Sequence, residues 1–196
     1  MNARRVLAMI TAGSVALMSA SAASTARAQS AQPWSVQASL LAAGQDINGS
    51  LVSGVGFEGQ FRYTPAALWS LGLGVQYSSH KSGSETVNIS GVFLEPRYSF
   101  DIGSDRIAPY VAGRFAFLRE SSTLAGAGDV SSSGTALGGG GGLLIRATRT
   151  VNVDIGAAFV SQKFSDTEGD NGVTVSFDRF VGYVVKAGLS IGFGTR

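Results

Sequence analysis

The feature that most constrains this chain is a two-residue rhythm in which charged side chains keep to one side. In residues 34–42, Trp34, Val36, Ala38, Leu40 and Ala42 alternate with Ser35, Gln37 and Ser39. The same rhythm returns in residues 55–63, 69–78, 91–100 and 109–117, resumes at 143–146 after five consecutive glycines, and closes with 151–162 and 181–193. Alternation with period two is the mark of strands with one apolar and one polar face. Eight such segments of about ten residues give an even strand count and a length that suit a small transmembrane β-barrel. The expected fold is all-β: an eight-stranded antiparallel up-and-down barrel.

The connections alternate as well. Short turns are expected at residues 64–67, 101–106 and 148–150, and longer polar links at 44–50, 79–86, 120–135 and 165–176. Short turns at one rim and long loops at the other match the two ends of an outer-membrane barrel.

Within the spans, Glu58, Arg62, Glu95, Arg97, Arg114, Arg146, Asp154 and Lys186 all share the polar parity. A soluble barrel also alternates, but with its apolar face inward. Three observations favour a lipid-facing apolar side: an export signal, small residues on the inward side, and aromatics at the ends of the apolar faces. Trp34, Tyr63, Trp69, Tyr98 and Phe193 fall at the short-turn end, and Tyr77, Phe117, Phe159 and Phe177 at or near the other. Two aromatic girdles around an aliphatic band are expected where rings meet lipid headgroups. The competing reading is an exported soluble barrel with an apolar cavity, of the lipocalin kind.

The export signal occupies residues 1–28. Arg4 and Arg5 precede an apolar stretch, and Ala26-Arg27-Ala28 fits the small-x-small cleavage pattern. Residues 29–196 are then expected to form a single barrel domain in the outer membrane. Cleavage removes three arginines and no acids, so the formal charge passes from +2 to −1 and the basic balance gives no reason to expect a nucleic-acid partner. The chain has no cysteine, which excludes thiol catalysis and cysteine metal sites.

Residues 93–100 (FLEPRYSF) and 108–117 (APYVAGRFAF) resemble the fourth and fifth strands of the small outer-membrane barrels of the OmpA/OmpX and opacity-protein kind. The similarity runs over the whole mature chain. The ending KAGLSIGF, residues 186–193, is similar to that family's assembly signal, carried here by Lys186, Gly188, Ile191 and Phe193, although Gly194, Thr195 and Arg196 follow the aromatic. The resemblance implies insertion by the barrel assembly machinery.

The inward charges are expected to pair as a polar plug, because an isolated buried charge is costly and eight strands leave an interior about as wide as its side chains. A narrow ion path is the alternative. His80, the single histidine, sits near Ser78, Ser79 and Ser82. A lipid A-modifying enzyme with a Ser/His pair near the outer leaflet is therefore the second function class, though catalysis also needs an orienting carboxylate that no spacing supplies. A solvated loop histidine is the simpler expectation.

Asp166, Glu168 and Asp170 with Asn171 resemble a calcium spacing but lack the ligand number of a dedicated loop. No catalytic residue, metal or cofactor is assigned. The expected role is envelope-stabilising or surface interaction through the loops, as a monomer contacting outer-membrane lipid, lipopolysaccharide and an unidentified surface ligand. The five glycines, Gly138 to Gly142, lack both the Gly-Lys-Ser/Thr ending of a phosphate loop and the βαβ setting of a dinucleotide loop. They read as strand with side chains removed, making room for a bulky inward neighbour, with Arg114 the leading candidate.

Overall fold

The computed structural model describes residues 32–47, 50–82, 85–124, 128–165, 167–168, 174–175 and 180–195. The signal segment, Phe177 and most of the acidic 166–171 stretch lie outside the described residues.

Eight long strands form a closed antiparallel barrel: β1 (Trp34–Ile47), β2 (Ser50–Tyr63), β3 (Trp69–Ser82), β4 (Glu85–Ser99), β5 (Ile107–Leu124), β6 (Gly128–Arg146), β7 (Val151–Phe164) and β10 (Phe180–Phe193). Two short strands between the last pair, β8 (Thr167–Glu168) and β9 (Thr174–Val175), form a small separate ribbon. Each barrel strand pairs with its sequence neighbour, and β10 closes onto β1 from Trp34↔Phe193 to Gln45↔Gly182.

The register sets the barrel's width. Followed once around through Trp34, Tyr63, Leu71, Pro96, Gly113, Gly139, Phe159 and Tyr183, the ladder returns to β1 at Gly44, ten residues further on. The step from Pro96 to Gly113 falls between the pairs Leu94↔Phe115 and Arg97↔Ala112. Such a stagger requires tilted strands, and eight of them enclose a space that side chains alone can fill.

The strands outrun their expected lengths. Instead of loops at 44–50, 79–86 and 120–135, the ladders continue to Ile47↔Ser50, Ser82↔Glu85 and Leu124↔Gly128. Serine and glycine on both parities suggested loops there. Backbone pairing does not require an apolar face, and His80 and Ser132 in these extensions turn inward and are buried, so that polarity is compatible with strand. The opposite rim keeps its short turns, which side chains hold in shape. Asp101 Oδ1 accepts from the Gly103 N–H at 2.9 Å, with Gly103 at φ 72, and Thr148 Oγ1 accepts from the Val151 N–H at 3.0 Å.

Leu40, Val55, Leu73, Val75, Phe159 and Leu189 all point outward and are well exposed, whereas Glu58, Arg62, Glu95, Arg97, Asp154 and Lys186 are buried inside. This inverts a soluble barrel, in which the apolar parity would face the interior. The interior is nevertheless not uniformly polar. Towards the long-strand end, Ile89, Phe93, Leu118, Val160 and Phe164 pack with Ala116 and Ala136 as an apolar cluster inside the barrel. Alternation had marked this parity as polar, and these residues are exceptions to it.

The glycine run lies within β6, paired with β5 on one side and β7 on the other. It makes room for Tyr110 rather than Arg114. A Cβ on Gly142 or Gly156 would run into the Tyr110 hydroxyl, while the Arg114 guanidinium lies 3.9 Å over the Phe93 ring. Gly142→Val is expected to displace Tyr110 and cost about 1–3 kcal/mol, the usual range for overpacking. A lowered urea midpoint of the folded barrel checks this.

Candidate functional site

Among the described residues, the centre of the barrel holds seven ion pairs between seven side chains from five strands. Glu95 on β4 is the hub: Arg62 on β2 approaches at 2.7 Å, Arg97 at 3.0 Å, Arg114 on β5 at 2.5 Å and Lys186 on β10 at 3.1 Å. Glu58 on β2 takes Arg114 at 2.8 Å and Lys186 at 3.3 Å. Asp154 on β7 takes Arg97 at 2.8 Å.

Local backbone explains part of this arrangement. Pro96 has no N–H, and the β4–β5 ladder shows no pairing between Leu94 and Arg97. Across that gap, the Arg114 Nε–H donates to Glu95 Oε2 at 3.1 Å.

Neutral groups complete the shell. Tyr110 Oη donates to Asp154 Oδ1 at 2.7 Å, and Gln37 Nε2 to Asp154 Oδ2 at 2.8 Å. Gln60 Oε1 accepts from the Arg62 guanidinium, and Gln76 Oε1 from Arg114 at 3.3 Å. Two guanidiniums also lie on rings, Arg97 3.8 Å over Tyr110 and Arg114 3.9 Å over Phe93. A cation over a ring face gains attraction when desolvated.

Of the eight charged residues singled out from sequence, seven therefore meet here. Arg146 is placed apart, at the short-turn rim opposite Asn152. Tyr110, Gln37, Gln60 and Gln76 were not singled out, although each shares the parity of the charges, and that shared parity was the available signal.

The rim aromatics pair on the outer surface. Trp34 and Tyr63 lie 4.3 Å apart between ring centroids, and Trp69 and Tyr98 5.0 Å. Towards the other end Phe57 and Tyr77 lie 5.5 Å apart, Phe115 and Phe117 5.0 Å, and Phe159 stands outward. In the closing strand, Lys186 and Gly188 face inward, the latter against Ser39, while Ile191 and Phe193 face outward.

His80 is not a solvated loop residue. It lies on β3, three positions beyond Tyr77, with its side chain buried inside the barrel and its ring against Gly54. Nε2 shares a 3.1 Å hydrogen bond with Ser78 Oγ, whereas Nδ1 is buried and has no partner among the described residues, none of whose carboxylates orients the ring. Burial lowers its pKa below the ordinary 6.5.

An up-and-down barrel of eight strands with this face inversion has the fold of the small outer-membrane β-barrels. Among solved structures, Neisserial surface protein A superposes with a TM-score of 0.67 at 19% identity, covering 82% of this chain and 97% of that one. OprG from Pseudomonas aeruginosa gives 0.54 at 12% identity, covering 86% and 99%. Ail, the attachment invasion locus protein of Yersinia pestis, gives 0.51 at 14% identity, covering 81% and 97%. No family model matches the chain, and no curated protein matches it in sequence.

Two outcomes test the site. Glu95→Gln leaves four cations without their shared negative charge and is expected to cost about 3–5 kcal/mol, the range for breaking a buried pair. Comparison of unfolding free energies in detergent or lipid measures it. For His80, the folded state disfavours the proton. Stability should therefore be unaffected above the unfolded pKa of about 6.5 and fall as pH drops below it, levelling off below the folded pKa. Measured against pH, His80→Gln should remove that part of the fall.

Proposed function

We propose that this protein is an integral outer-membrane barrel, exported and signal-cleaved, with a lumen closed by its own side chains and a non-enzymatic role at the cell surface. The observation that carries the reading is the outward apolar wall, which runs between aromatic pairs at its two ends around an interior of paired charges. Water would have to solvate that wall at a cost of about 25 cal/mol per Å2, and a bilayer removes the cost. The resemblance in fold to outer-membrane barrels supports the same placement.

The charged layer acts as the plug. Each carboxylate has at least two cationic or neutral donors, and the apolar cluster of Ile89, Phe93, Val160 and Phe164 lies above it as a second barrier. Contact with the outside runs through the ribbons beyond Tyr77 and Phe117, which serve envelope stabilisation or recognition of a surface ligand. Ile191 and Phe193, with Lys186 and Gly188, form the recognition ending for the assembly machinery, and the barrel works as a monomer in lipid and lipopolysaccharide.

A lipid A-modifying activity at His80 is disfavoured by geometry. Its ring faces the interior, away from any acyl chain on the outer wall, and it has no orienting acid.

The decisive measurement is membrane fractionation combined with gel mobility before and after boiling. The protein should stay with the outer membrane and shift on heating, and recovery in the soluble periplasmic fraction would sink the proposal. In planar bilayers the wild type should give no stable large conductance. Glu95→Ala should give conducting events if the charged layer is what closes the lumen.

A further inference from the structure

We infer that the lumen holds a bound small monovalent anion, such as chloride, at its short-turn end, between Arg62 and Arg97. The first ground is charge. The ion-paired layer contains four cations, Arg62, Arg97, Arg114 and Lys186, against three carboxylates, Glu58, Glu95 and Asp154. One positive charge is left over in a place closed to bulk water on its sides. An uncompensated charge in such a place is costly, and a counter-ion relieves it.

The second ground is orphaned donors. A chamber at this end is lined by Arg62, Arg97 and Asn152 together with the hydroxyls of Ser35, Ser70 and Ser190. Arg62 and Arg97 are 5% and 2% exposed, and the Nε–H of each finds no acceptor among the described residues. Buried donors are satisfied in the great majority of cases, so two orphans on neighbouring cations mark a missing acceptor.

The third ground is spare donor capacity in the lining. Ser70 Oγ accepts from Arg62 Nη1 at 2.9 Å, so its hydroxyl hydrogen is not used in that bond. The lining thus offers donors and positive charge, as an anion requires. Asn152 Oδ1 is the exception, an orphaned acceptor, so a water that donates to it shares the chamber with the anion. Among the described residues no carboxylate lines this chamber; Glu95 Oε1 bridges the two guanidiniums at their Nη2 ends, 2.7 Å from Arg62 and 3.0 Å from Arg97, so the anion site is at their Nε–H groups. The inference rests on the barrel interior alone and stands whether or not the membrane placement does.

The test uses the full mature chain folded in detergent micelles. Unfolding by urea is followed through Trp34 and Trp69 at constant ionic strength while gluconate, a bulky organic anion, is exchanged for chloride. A ligand that binds only the folded state at about 100 times its dissociation constant raises the folded-to-unfolded ratio about 100-fold. Chloride is therefore expected to raise the midpoint, and crystals soaked in bromide should show an anomalous peak between the two guanidiniums.

Arg62→Gln should abolish the chloride response. Since Arg62 also pairs with Glu95, Ser70→Ala serves as the second variant. It leaves every ion pair intact and should weaken the chloride response several-fold. Equal midpoints in chloride and gluconate overturn the inference, as does bromide-soaked density that contains water only. A response that survives unchanged in both variants overturns it as well.

Discussion

The structure depends on the narrowness of an eight-stranded barrel. With a ten-residue stagger and antiparallel closure, the interior has room for side chains and little else. A charged group placed inside must then find its partners from the wall itself. Glu95 shows the outcome most directly, with one carboxylate serving cations from β2, β4, β5 and β10. The glycines of β6 follow from the same constraint, since Tyr110 reaches Asp154 only because Gly142 and Gly156 have no side chains in its way.

The interior is layered rather than uniform. Hydroxyls and amides lie near the short turns, ion pairs occupy the centre, and an apolar cluster sits towards the long ribbons. The layers meet at Arg114, which is held by Glu58 and Glu95 below and lies over the Phe93 ring above. Phe93 thus belongs to both, giving its ring face to a cation while packing in the apolar cluster.

The strand count, the antiparallel order and the side on which each charge lies were legible in the sequence, because a period of two commits every residue to one face. The ring of aromatics was legible for the same reason. The length of the ribbons was not. Ser131, Ser132 and Ser133 carry no apolar alternation, and backbone pairing outside an apolar band leaves no trace in side-chain pattern. The partner of the glycine run was missed because spare volume says nothing about which neighbour fills it; Tyr110 and Arg114 share a parity, and only the register separates them. His80 looked like a loop residue because its serine-rich surroundings resembled a turn, and its burial became visible only once β3 was seen to extend to Ser82.

Lys186 belongs to the last strand, yet its two acceptors are Glu58 on the second and Glu95 on the fourth. Their separations along the chain are 128 and 91 residues. Those contacts do not exist in an open sheet, where Lys186 lies far from both of its acceptors. A half-rolled intermediate therefore carries a penalty at both free edges: unpaired backbone along β1 and β10, and unmatched charge beneath it. Sealing the seam and bringing Lys186 to its carboxylates are one event, which favours closure in a single cooperative step over gradual curling.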